Sequence, residues 1–193
     1  MPLMPCFEPG QAEEQGKIIG KILVGYGELE VGLLSCLVAV ERHIDLPVKR
    51  LFERMPAEKR IKLARQTLLP AFADAGLEAD MKECLADLDW CRDLRNQYAH
   101  CQWGWTSNDG LFFVNLEQLA ANHVGPITRV MNHPRYLGVS LLKEQEAYGD
   151  YVRECFIYLE TAYQAWDRRR RDIAMTAFVF SKPPKITRPC LHN

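Results

Sequence analysis

The sequence predicts an all-α fold, a helical bundle of four to five helices with a small β-hairpin inserted after the helix that carries its most distinctive motif. Three observations predict it. Apolar residues recur at three- and four-residue spacing over long stretches near both ends of the chain and again through its middle. Only one short stretch switches to aromatic and β-branched residues around a turn. The chain has 193 residues, 48% of them hydrophobic, and no internal repeat, so it can bury one core: a single domain over 1–175 is expected, with a loose tail over 176–193.

The first helix is expected from about Gln11 to Ile44, where Ile18, Ile19, Ile22, Leu23, Tyr26, Leu29, Leu33, Leu37 and Val40 mark a largely buried element. Gly16, Gly20, Gly25, Gly27 and Gly32 fall inside it. Each costs about 1 kcal/mol against Ala in a helix interior, so another backbone packs closely there or the helix bends, and close packing is the commoner cause. Pro47 opens a short helix through Met55, and Pro56 opens another that runs to Pro70 and the Ala75-Gly76 stop. From Glu78 the residues Met81, Cys84, Leu85, Leu88, Cys91 and Tyr98 form one stripe. At 100° per residue Arg95 lies within about 20° of Leu88, so an arginine is expected to point toward the apolar side. Trp103-Gly104-Trp105-Thr106, a Ser107-Asn108-Asp109-Gly110 turn and Leu111-Phe112-Phe113-Val114 read as a hairpin. Glu117 to Gly138, broken by Pro126 and Pro134, reads as turns with at most one short helix or strand. A last long helix is expected from near Ser140 to Arg171, and the chain from Ser181 reads as loose.

A net charge of −1 excludes a surface that is basic throughout, so any polyanion site must be local. The N-terminus has no basic start followed by an apolar stretch, and no later run approaches 18 uncharged apolar residues; a cytoplasmic protein without a membrane partner is expected. Seven cysteines without a short-spaced pair, and five scattered histidines, point to free thiols, no metal and no cofactor.

One segment has a recognisable chemical signature: Arg95-Asn96-Gln97-Tyr98-Ala99-His100. Arginine is a permanent cation whose planar fork suits phosphate, and histidine exchanges a proton near neutral pH, a combination suited to phosphodiester chemistry. Asn96 and His100 share a helix face. Arg95 and His100 are about 140° apart around an ideal helix, so they form one site only if the helix ends between them or a second copy completes it.

Leu94 to His100 resembles the motif of the HEPN superfamily, helical-bundle proteins with an Arg, a polar residue and, a few positions on, a His near a helix end. Gly27-Glu28-Leu29-Glu30 is similar to an acidic stretch in an earlier helix of small bacterial members. The resemblance implies a homodimeric, metal-independent endoribonuclease acting on RNA, in the setting of a toxin with its antitoxin or of phage defence. It assigns His100 to acid/base work on the ribose 2′-OH, Arg95 to the phosphate and its transition-state charge, and Asn96 to orientation. Glu30 or Glu28 would fix the Arg95 guanidinium and Tyr98 would support the motif, while Arg92 and Trp103 would contact RNA.

The alternative is a non-catalytic nucleotide-binding or interaction module whose RNQYAH segment is structural, with Arg95 matched to the helix dipole and His100 capping the last carbonyls. Trp103, Trp105, Phe112 and Phe113 serve more commonly as hairpin packing than as base-stacking platforms. The Arg168 to Arg171 run is more commonly a dipole-matched helix end than an RNA contact, and Cys101 has no spaced partner to activate it as a nucleophile.

Overall fold

The computed structural model describes residues 12–53, 55–106, 110–116, 120–121, 134–173 and 180–191. The expected turn residues Ser107, Asn108 and Asp109 lie outside these, as do His123, Pro126 and His133. The described residues form an all-α fold with one small antiparallel sheet: α1 (Glu13–Glu41), α2 (Asp45–Phe52), α3 (Ala57–Asp74), α4 (Glu78–His100), β1 (Gln102–Thr106), β2 (Gly110–Val114), β3 (Arg135–Tyr136) and α5 (Val139–Arg170).

Local chemistry sets the ends of these helices. Glu13 and Glu14 sit in the first turn of α1, where carboxylates complement the dipole. α2 starts at Asp45, before Pro47, because a proline in the first turn loses an N–H that has no intrahelical acceptor. α3 carries Pro70 inside it, absorbs the missing donor and runs to Asp74, just before the Ala75-Gly76 stop. It closes there because Gly76 takes φ +73°, letting its N–H reach the Ala73 carbonyl at 2.9 Å and the Leu77 N–H reach that of Phe72 at 2.8 Å. At the end of α5, Asp172 takes the left-handed role at φ 53°, with the Ile173 N–H on the Arg168 carbonyl.

Packing divides the chain into two compact units, and α1, α4 and α5 each contribute to both. The first unit contains α1 up to Val24, Asp93–Tyr148 and the chain from Thr187; the second contains Gly25–Arg92 and Gly149–Ile186.

In the first unit β1 pairs antiparallel with β2, Trp103 opposite Phe113 and Gly104 opposite Phe112. The expected hairpin gains a third strand, since β2 also pairs with β3, Phe112 opposite Tyr136. Leu111 to Val114 are all buried, so β2 is the core strand. Gly104 is required by its neighbour, because a Cβ there would run into the Phe112 ring.

In the second unit Gly32 is the glycine of α1 that close packing explains: a Cβ would lie 2.9 Å from Phe156 Cβ. At Gly16, Gly20, Gly25 and Gly27 a Cβ would meet nothing within 4 Å among the described residues, so packing there does not account for them. Phe72 stacks on Tyr163 with centroids 4.7 Å apart, and the Cys36 thiol donates to the Phe156 carbonyl at 3.8 Å.

α1 is less buried than its periodicity suggested. Ile18, Ile19, Tyr26, Leu29, Leu33, Cys36 and Leu37 face the core, but Val24 and Val31 are 74% and 60% exposed. An 18-residue window of α1 reaches mean hydropathy 1.7 with at most two charged residues and is 28% buried, so by length and composition the helix could cross a membrane. The segment 180–191 is not loose. Lys182 pairs with Asp80 at 2.6 Å and Lys185 with Glu83, Pro183 is buried between them, and Arg188 donates to the Tyr148 hydroxyl at 3.4 Å.

The two kinds of glycine in α1 should respond oppositely to a methyl group. Gly25→Ala is expected to raise unfolding stability by about 0.5–1 kcal/mol through helix propensity. Gly32→Ala is expected to lower it by about 1–3 kcal/mol through overpacking against Phe156. Urea unfolding of the two variants checks both signs.

Candidate functional site at the end of the motif helix

α4 runs unbroken through the whole motif and ends at His100, after which the Cys101 N–H bonds the Gln97 carbonyl at 3.1 Å. Buried and open positions therefore follow helical geometry. Leu94, Gln97 and Tyr98 face inward, Arg95 is half-buried, and Asn96 and His100 are exposed. Leu94, not Arg95, takes the inward position one turn after Cys91, so the expectation that Arg95 points into the apolar stripe is corrected. Its Nη1 instead donates to Asn96 Oδ1 at 3.1 Å, outside that stripe. With the helix intact between them, Arg95 and His100 stay about 140° apart around the axis.

The inward residues are held by a polar relay. The Tyr98 hydroxyl donates to Gln145 Oε1 at 2.5 Å, and Gln145 Nε2 donates to the Cys190 carbonyl at 2.7 Å and the Leu191 carbonyl at 3.3 Å. Gln97 Nε2 reaches the Leu191 carbonyl as well, at 3.3 Å. Tyr98, Gln97 and Gln145 are all buried, so this network fastens the end of α4, the start of α5 and the chain terminus together. Sequence reasoning missed Gln97 and Gln145. The available signal was that Gln145 falls in the apolar stripe Leu141, Leu142, Tyr148, Val152 and Gln97 beside Leu94 and Tyr98.

Trp103 is held by the same tyrosine. Its Nε1 donates to the Tyr98 carbonyl at 3.3 Å, and Tyr98, Trp103 and Phe113 form a ring cluster with centroids 5.5 to 6.0 Å apart. The indole is thus committed to packing on the helix end and not presented as a platform. Burial pushes the Tyr98 phenol up, partly offset by its bond to Gln145. It also pushes the Cys101 thiol up to about 12, so at neutral pH Cys101 is a thiol that donates to the Tyr98 carbonyl at 3.6 Å.

The carboxylates expected to hold Arg95 are engaged with other arginines. In the second unit Arg60 Nη1 donates to Glu30 Oε1 at 2.5 Å, and Arg153 Nη1 donates to Glu28 Oε2 at 2.8 Å. Arg92, expected to contact RNA, is mostly buried and donates to Asp89 at 2.7 Å, an aspartate it shares with Arg65. Tyr26 lies among these charges with its hydroxyl buried and, among the described residues, without a hydrogen-bond partner; burial and then Glu30 push its phenol up. Of the terminal arginine run, Arg169 bonds the Ala165 carbonyl and Arg170 lies 5.3 Å over the Trp166 ring, the contacts of a helix end. Among the described residues no group of three or more His, Cys, Asp or Glu is placed to hold a metal.

Compared with protein-family models, curated proteins and solved structures, the chain matches none.

Two outcomes follow from the relay and the buried thiols. Tyr98→Phe leaves the Gln145 carbonyl unsatisfied and is expected to cost about 1–3 kcal/mol in urea unfolding, with Gln145→Leu costing at least as much. In a Cys6→Ser, Cys190→Ser background, labelling by a thiol reagent at pH 8 is expected to be slow in the native protein and complete in denaturant, since Cys36, Cys84, Cys91 and Cys155 are buried and Cys101 stays protonated. Fast labelling of one thiol in the native state would contradict the placement of Cys101.

Proposed function

We propose that this chain is a HEPN-like, metal-independent endoribonuclease that works as a cytoplasmic homodimer. The observation that carries the reading is the split of RNQYAH: Gln97 and Tyr98 are spent on the fold, while His100 is exposed on the last residue of α4 and the half-buried Arg95 donates to the exposed Asn96. An unbroken helix keeps Arg95 and His100 on different faces, so two antiparallel-facing copies would supply Arg95 of one chain and His100 of the other to one phosphate.

At such a site one His100 imidazole takes the proton of the ribose 2′-OH as O2′ bonds to phosphorus. The P–O5′ bond breaks, and the imidazolium so formed passes its proton through a water to O5′. The products are a 2′,3′-cyclic phosphate and a 5′-hydroxyl. Arg95 neutralises the charge gathering on the non-bridging oxygens, and Asn96 fixes the guanidinium that it accepts from. No redox partner or metal enters this balance. A nuclease of this kind suits a toxin or phage-defence effector restrained by a protein partner.

The test is cleavage of mixed RNA in EDTA by the purified protein. His100→Ala and Arg95→Ala are each expected to reduce the rate by about 10²–10⁴-fold. Refolding the two inactive variants together is expected to recover a measurable fraction of activity, because half-and-half dimers hold one intact composite site. A wild type that leaves RNA intact, or cleavage indifferent to both substitutions, would favour a nucleotide-binding or interaction module instead.

A further inference from the structure

Two of the open glycines of α1, Gly20 and Gly27, share one face of the helix, and packing among the described residues leaves both unexplained. Gly20, Val24, Gly27, Val31, Leu34 and Val38 follow one another at alternating steps of four and three residues, the spacing of a single seam. Every one of them is exposed or half-exposed, with Val24 and Val31 the most open. A helix interior that carries Gly20 and Gly27 at a cost of about 1 kcal/mol each, with no described residue within 4 Å of a Cβ at either position, is suited to close approach by a second helix.

From this geometry we infer that the seam is the contact face for a second copy of the chain, packed as an antiparallel α1 pair. Self-complementarity selects that occupant. With the two-fold axis beside Gly25, Val24 of each copy sits over Gly27 of the other and Val31 over Gly20, so the branched side chains fill the space the glycines leave and the axes approach to about 8 Å. The flanking charges match in the same register: Lys21 of one copy comes beside Glu28 of the other, twice by symmetry. Both are 68% and 56% exposed, and their present partners Glu146 and Arg153 are surface ion pairs of small net value that a second charge can share. A bilayer is the poorer occupant, because the face opposite the seam is already spent on the core through Ile19, Tyr26, Leu29, Leu33 and Leu37 while Lys21 and Glu28 flank the seam. The pairing rests on the dimer proposed for the RNQYAH site but not on its chemistry.

Sedimentation at micromolar concentration tests it. The wild type is expected to dimerise, and Lys21→Glu or Glu28→Lys to raise the dissociation constant roughly tenfold or more by setting like charges together twice. The double variant K21E/E28K is expected to restore it. That rescue cannot come from within one chain, because Glu146 and Arg153 are unchanged and the intrachain pairs stay broken. Gly27→Leu is expected to abolish the dimer while leaving the melting temperature of the monomer intact or higher. A dimer indifferent to the single charge reversals, or a double variant no better than either single one, overturns the α1 pairing and leaves the nuclease reading standing. A monomeric wild type overturns the pairing and the composite site together, whereas loss of RNA cleavage in a dimeric preparation touches only the chemistry.

Discussion

The amide of Gln145 is the interaction on which the first unit depends. It is buried, it accepts from Tyr98 and donates to the carbonyls of Cys190 and Leu191, and so one side chain joins three pieces of chain that are 45 or more residues apart. A buried amide is costly if any of these bonds is missing, because its desolvation is then unrepaid, whereas the complete set is worth more in a low-dielectric interior than the same bonds in water. The relay thereby makes the position of the motif helix conditional on the terminal segment. It also orients Tyr98 so that its ring can receive Trp103 and Phe113, which is how the sheet is fastened to the helix end.

What was legible in the sequence is what local spacing controls. The helices appear in the chain because burial of a stripe at three- and four-residue intervals is a property of each segment alone, and the Gly76 stop of α3 can be read for the same reason. What was not legible are contacts whose partners are far apart in the chain. Lys182 and Lys185 look like any exposed lysines of a polar tail, and only the fold brings them to Asp80 and Glu83, 102 residues away. Glutamine in a helix reads as surface until its stripe is weighed, and β3 needs β2 beside it before two residues become a strand. Arg95 was misread for a finer reason. At the drift of an ideal helix both Leu94 and Arg95 fall near the stripe, and the competition for the buried position goes to the side chain without a charge to desolvate.

α1 shows the limit of periodicity as a measure of burial. Its apolar residues cover more of the circumference than the core uses, which is why its mean hydropathy is high and its buried share low. Gly32 belongs to the core side, pressed against Phe156, and the other glycines do not. Identical residues in one helix therefore answer to different constraints, and a count of glycines cannot distinguish them; only the distance to the nearest neighbouring atom does.

The same division operates inside the six residues of the motif. Helical geometry sends Gln97 and Tyr98 inward, where the Gln97 amide donates to the Leu191 carbonyl and the Tyr98 hydroxyl to Gln145, and leaves Asn96 and His100 in solvent with Arg95 at the boundary. Residues adjacent in sequence thus have separable surroundings: one set fastens the helix end to the fold, and the other faces solvent. The exposed set also lacks a general acid, base and anion clamp on one face, since five residues of continuous helix separate the histidine from the arginine. Cys101 does not fill the gap, being held protonated by its burial. Arg95 and His100 are therefore kept on different faces of one helix, and that separation follows from the pitch of the helix before any substrate is named.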